Sequence, residues 1–111
     1  MAWHQLTSNE QVDEILEKSF EQPQLFFKHS TRCSISSMAF RRFEQTNCQN
    51  SDFLACHFLD LLSYRVVSNY LAEKVKVMHQ SPQIIVVKNG EVIVHESHGM
   101  IDGNEVLKKL A

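Results

Sequence analysis

Residues 83–96 read QIIVVKNGEVIVHE, two β-branched runs on either side of Asn89-Gly90. A two-residue type I′ turn needs positive φ at both central positions, and Asn-Gly supplies them readily. The stretch therefore predicts an antiparallel hairpin with Asn89 and Gly90 at its tip. Just before it, in HQSPQ, stands Pro82. A proline there either punctuates the start of a strand or sits in a cis bond, the form of only about 5% of X–Pro bonds. Just after it, IDGNEVLKKLA (101–111) reads as a short closing helix with Val106, Leu107 and Leu110 turned inward.

Upstream, helical and strand patterns alternate. LFFKHS (25–30) has the length and aromatic content of a buried strand, and SISSMAFRRFEQ (34–45) places Ile35, Met38, Ala39 and Phe43 at helical spacing. DFLACHFLDLL (52–62) is apolar almost throughout, as a central strand covered on both faces requires. From Ser63 to Val77 the helical period returns through Val66, Val67, Tyr70, Leu71 and Val75. Near the start, Thr7-Ser8-Asn9 offers cap residues for a helix bearing Val12, Ile15, Leu16 and Phe20, ended by Pro23, and Trp3–Leu6 reads as an extra edge strand. This order predicts an α/β domain over residues 1–111, a mixed central β-sheet of about four to five strands with helices on both faces.

With 111 residues, 43% of them hydrophobic, and a net charge of −2, the chain can bury a real core and carries no electrostatic footprint for nucleic acid. No apolar run approaches the roughly 20 residues of a membrane helix, and MAWHQLTSNE lacks a signal-peptide layout, so a cytoplasmic protein is expected, with no membrane partner. Three cysteines, Cys33, Cys48 and Cys56, argue for reduced thiols rather than a disulfide scaffold, and no C-x2-C or H-x3-H spacing suggests zinc. Nothing calls for a second subunit, and a monomer is expected.

Cys33 lies where the LFFKHS strand gives way to a helix. Unpaired amides and the dipole at a helix N-terminus favour a thiolate, Arg32 adds a full positive charge, and Ser34 and Ser36 could offer hydroxyl donors to the sulfur. By position alone, a nucleophile and an inert cysteine at a helix start both remain open. A cis Ser81–Pro82 bond beside the cysteine would expose backbone groups able to pair with a thiol substrate. Cys56, in an apolar strand, reads as a core residue. Cys48, in the polar stretch TNCQNSD, reads either as an incidental loop residue or as an exposed, distant resolving thiol.

The combination of LFFKHSTRCSISS, HQSPQIIVVKNGEV and HESHGMI resembles the monothiol bacilliredoxin family of the thioredoxin superfamily, over nearly the whole chain. The usual motif of that family is Thr-Cys-Pro-Ile-Ser. This chain departs from it twice, with Arg32 between Thr31 and Cys33 and with Ser34 in place of the proline. The resemblance implies a thioredoxin-like fold and a thiol-disulfide oxidoreductase without a tightly bound cofactor. Its co-substrate would be bacillithiol, a cysteinyl-glucosamine-malate thiol, and its partners S-bacillithiolated proteins and free bacillithiol. Cys33 would be the attacking thiol. With serine at position 36, a second thiol must release the adduct. Ser81, Pro82 and His98 would bind substrate, supported by Arg32, Ser34 and Ser36; the plain alternative for His98 is a surface-loop histidine. Two other functional classes are weighed beside this one. An iron–sulfur carrier of the monothiol glutaredoxin kind has Cys-Gly-Phe-Ser and a C-terminal Gly-Gly pair, both missing here. A redox-silent interaction module would leave Cys33 without a task.

Overall fold

The computed structural model of the chain describes residues 3–110. Five strands, β1 (Trp3–Gln5), β2 (Gln24–His29), β3 (Ala55–Asp60), β4 (Gln83–Lys88) and β5 (Glu91–Ser97), form one sheet in the order β1-β3-β2-β4-β5. The first three run parallel to one another; β4 is antiparallel to β2, and β5 to β4. The helices are α1 (Asn9–Lys18), α2 (Ser34–Gln45), α3 (Arg65–Val75) and α4 (Gly103–Leu110). Short 3-10 turns cover Cys48–Asn50 and His98–Met100.

The sheet separates two apolar clusters, because successive strand residues point to opposite faces. On one face Leu25, Phe27, Ile84 and Val86 meet Ala39 and Phe43 of α2 and Val106 of α4. On the other, Phe26, Leu59, Ile85 and Val87 meet Val12 and Ile15 of α1 and Val67 and Leu71 of α3. This is the mixed sheet with helices on both faces that the pattern predicts. The central strand β2 is buried along its whole length, Lys28 and His29 included.

The local signals are met where the chain itself enforces them. Asn89 (φ 54°) and Gly90 (φ 78°) both take the left-handed conformation at the hairpin tip. A side chain at Gly90 would also come within 2.8 Å of the Phe20 ring. Ser8 caps α1, its side chain accepting from the Gln11 N–H while Gln11 Oε1 accepts from the Ser8 N–H. The edge strand at Trp3 is present, and Ser81–Pro82 is cis.

Helical spacing misplaces several apolar side chains. Phe20 lies beyond the end of α1 and is exposed beside Gly90, because α1 stops at Lys18. Ile35, Met38 and Val66 are exposed, whereas Ala39 and Phe43 are buried as their spacing predicts, with Ser36 beside them. The reason is position: the starts of α2 and α3 stand at the end of the sheet, where only one side of the helix has anything to cover it.

That end of the sheet assembles four connections. Lys28 pairs opposite Gln83 in the antiparallel β2–β4 ladder, so the chain leaving β2 and the chain entering β4 lie together. His29 pairs opposite Asp60 and Gln83 opposite Ser97, which brings the exits of β3 and β5 to the same place.

Candidate functional site

Cys33 is the N-cap residue of α2, with extended backbone (φ −109°, ψ 120°) and a half-buried side chain. Its N–H donates to the Ser30 carbonyl at 3.2 Å and its carbonyl accepts from the Ser37 N–H at 3.0 Å. The sulfur caps no amide of the helix, so it is not committed to a structural bond. A cysteine fixed at a helix N-terminus stands beside free N–H groups and the positive end of the helix dipole. Arg32 and Ser34 flank it, both exposed, and Arg32 has no acidic partner within ion-pair distance among the described residues.

Ser36 does something other than expected. It is wholly buried, and its Oγ accepts the Ser30 N–H at 3.0 Å and lies 2.7 Å from His29 Nδ1. The hydroxyl is taken by the chain that leads into the cysteine, and it makes no hydrogen bond with the sulfur. The expectation of a Ser36 donor to Cys33 is therefore corrected: one helical turn places residue 36 over the end of β2, where His29 waits.

His29 itself escaped the sequence reading. It is the last residue of β2, 7% exposed, with its ring centroid 5.3 Å from that of Phe40 and 5.5 Å from that of Phe58. Burial among these rings lowers its pKa, and the nearby Asp60 charge opposes the shift without cancelling it. Next to it Lys28 is completely buried with Nζ 3.2 Å from His79 Nδ1, and burial brings its pKa down to about 8. The signal available for both was a polar pair, KH, closing an otherwise apolar strand.

Ser81, Pro82 and His98 come together at the adjoining connections. Pro82 is buried, and its carbonyl accepts the His98 N–H at 3.1 Å. His98 is exposed and left-handed (φ 53°), opening the turn after β5. Ser81 Oγ is buried without a hydrogen-bond partner among the described residues. The structure thus puts these three residues at the end of the sheet that carries Cys33.

The other two thiols stand apart. Cys48 is fully buried beside Gly103, and burial pushes its pKa up to about 11. The exposed resolving thiol considered for Cys48 is thereby excluded: the polar sequence around it folds into a 3-10 turn whose cysteine faces the core. Cys56 is also buried, its pKa raised chiefly by burial and further by Cys48. All three cysteines are free.

A cavity of about 480 Å³, bordered by His4, Gln24 and His57, lies at the end of the sheet opposite Cys33. No cluster of three His, Cys, Asp or Glu side chains able to hold a metal occurs among the described residues. No described helix is long and apolar enough to cross a membrane.

Comparison with solved structures places this geometry among known folds. A thioredoxin-fold protein assigned as an oxidoreductase superposes with a TM-score of 0.85 at 27% identity, covering 99% of this chain and 95% of its own. Thioredoxin from Trypanosoma brucei brucei gives a TM-score of 0.71 at 17% identity, covering 96% of this chain and 86% of its own. Thioredoxin from Fasciola hepatica gives 0.70 at 9% identity, covering 96% and 95%. The last two likenesses establish the thioredoxin fold alone. The first, with the lone accessible cysteine at a strand-to-helix junction, fits a thiol oxidoreductase. The family model described as monothiol bacilliredoxin BrxC matches residues 4–106. By that match, and by the fold and cysteine placement that accompany it, this chain belongs to the monothiol bacilliredoxin family.

Proposed function

We propose that the protein removes bacillithiol from S-bacillithiolated proteins in the cytoplasm, acting as a monomer. The observation that carries the reading is the contrast among the thiols. One cysteine stands accessible at a helix N-terminus, while Cys48 and Cys56 are buried and held protonated at neutral pH. Position 36 holds a hydroxyl already engaged by His29 and Ser30.

The Cys33 thiolate attacks the bacillithiol sulfur of the mixed disulfide. A bond forms between Cys33 and bacillithiol as the protein's own disulfide bond breaks, and the protein cysteine leaves as a thiolate that takes a proton from solvent. With no second thiol of this chain within reach, free bacillithiol attacks the adduct. Cys33 departs as a thiolate, and bacillithiol disulfide is the oxidised product. Arg32, Ser34 and the first amides of α2 bear on the sulfur, while the Ser81–Pro82 backbone and His98 flank the incoming chain.

Exposed Ile35, Leu62, Val66, Met78 and Met100 belong to connections or first helical turns at the Cys33 end of the sheet, and exposed Met38 follows in the second turn of α2. Exposed apolar side chains at the same end as the cysteine support a protein, rather than a small molecule alone, as the substrate. Intact mass after incubation with a bacillithiolated protein is the test. The expected result is one bacillithiol adduct on wild type and none on Cys33→Ser. No adduct on wild type, or one that persists in Cys33→Ser, refutes the reading.

A further inference from the structure

Ser36 occupies the place where a dithiol enzyme keeps its second cysteine, yet its hydroxyl serves the backbone in front of Cys33. We propose that His29 is a positioning residue for the Cys33 nucleophile, acting through Ser36 to hold the Ser30–Cys33 turn against the first turn of α2. This rests on the reading of Cys33 as the attacking thiol.

Three bonds make the device. The Ser30 N–H donates to Ser36 Oγ at 3.0 Å, Ser36 Oγ lies 2.7 Å from His29 Nδ1, and the Cys33 N–H donates to the Ser30 carbonyl at 3.2 Å. Ser30 is thus held at both its N–H and its carbonyl, and the residue that precedes it supplies the anchor. Among the described residues His29 Nδ1 is the only acceptor within reach of the Ser36 hydroxyl proton, so that proton is satisfied when Nδ1 is bare and the imidazole proton is on Nε2. The rings of Phe27, Phe40 and Phe58 pack about the imidazole and fix its orientation. Ser36 is wholly buried, so no water can replace a lost partner.

The charge state of His29 then matters to the loop. Of the groups packed about it, Ser36 and Phe40 come from α2, Phe27 from β2 and Phe58 from β3, and none of these titrates near neutrality. The charged group that acts on it is Asp60 of β3. Burial favours the neutral imidazole, and the Ser36 proton, with no other acceptor in reach among the described residues, keeps Nδ1 an acceptor. A proton on Nδ1 would turn that acceptor into a donor, and the Ser36 proton would lose its place.

The experiment measures the rate of Cys33 alkylation by iodoacetamide across about pH 5 to 9, with peptide mapping to assign the site and circular dichroism to confirm folding. His29→Leu and Ser36→Ala should each slow alkylation roughly tenfold, and the double variant no further, since each breaks the same unit. His29→Asn, whose carbonyl can accept the Ser36 proton, should recover most of the rate. It should also lack the acid inflection that wild type shows below the ordinary histidine range. Single variants with wild-type rates and profiles overturn the proposal, as do losses that add in the double variant. If His29→Leu does not fold, Ser36→Ala and His29→Asn decide the matter. Alkylation uses no bacillithiol: a Cys33 that depends on His29 but accepts no bacillithiol leaves this inference standing and removes de-bacillithiolation. Adduct formation that ignores His29 does the reverse.

Discussion

The two ends of the central sheet are built to different rules. At the end away from Cys33, polar groups close on one another. The Asn89 and Gly90 amides donate to the carbonyl and hydroxyl of Ser19 at 2.8 and 2.9 Å. Gln22 reaches the Asp52 carbonyl, and Gln24 Nε2 donates to the Gln22 carbonyl. Gln24 Oε1 then accepts from His57 Nε2 at 2.8 Å. At the Cys33 end there is a cis Ser81–Pro82 bond, a buried Ser81 Oγ without a partner among the described residues, a buried lysine with only a histidine for company, and exposed apolar side chains. The first end is not wholly closed, since Gln49 Oε1 is buried without a partner among the described residues and Phe20 and Phe53 are exposed; the second adds a buried lysine on the strand that leads to Cys33. Cys33, the thiol proposed to react, sits at the second of these ends.

Cutting the comparison at its strongest point should give the largest effect. Cys33→Ser should abolish thiol exchange while leaving the melting temperature of the reduced protein within about 2 °C of wild type, since the sulfur makes no capping bond. Loss of both activity and stability would mean the thiol is part of the scaffold after all.

The closed end should govern acid stability. Burial, with the charges of His4 and Lys18, pulls the His57 pKa down to about 4, below the ordinary value of 6.5. Between those values the unfolded chain binds the proton that the folded chain refuses. Stability should therefore fall as pH drops from 6.5 towards 4, by on the order of 3 kcal/mol from this group. Urea titrations across that range read it directly. His57→Gln should flatten the dependence, and an unchanged slope would move its origin to another group.

Lys28 turns the same logic on the open end. Its pKa is lowered to about 8 by burial, so at pH 7 the fold still holds an ammonium and bears the cost of taking that charge out of water. Replacing it with a side chain of similar length that carries no charge, Lys28→Met, should raise stability by roughly 1–3 kcal/mol at neutral pH. Chemical denaturation at pH 7 checks the sign. Destabilisation would show that Lys28 and His79 form a net favourable pair.

The smallest effect belongs to the hairpin tip. Gly90→Ala meets both a left-handed backbone and the Phe20 ring, and should cost roughly 1–2 kcal/mol without changing Cys33 alkylation per folded molecule. A change in alkylation would show that the two ends are coupled through β4.

Legibility followed the range of the interaction. The hairpin could be read at Asn89-Gly90 and the capping of α1 at Ser8, because each is enforced by neighbours in the chain. The placement of Cys33 at a strand-to-helix junction was equally plain. Cys48 was not, since a polar stretch says nothing of a 3-10 turn that rotates one side chain into the core. Nor was the exposure of Ile35 and Met38, which follows from where α2 begins relative to the edge of the sheet. The partner of Ser36 lies on a different element, and no spacing rule names it.

By itself, the sequence determined the order of strands and helices, the hairpin, the solitary cysteine at a helix start and the family to which the chain belongs. The elements are set by backbone propensities and periodicities that act over a few residues, and the family by the motifs the chain carries from end to end. Only the tertiary structure decided which thiol is accessible, which way the Ser36 hydroxyl points, and that four connections meet beside Cys33. Burial and hydrogen-bond satisfaction depend on which segments the sheet brings side by side, and His29 meets Ser36 only once β2 and α2 have packed.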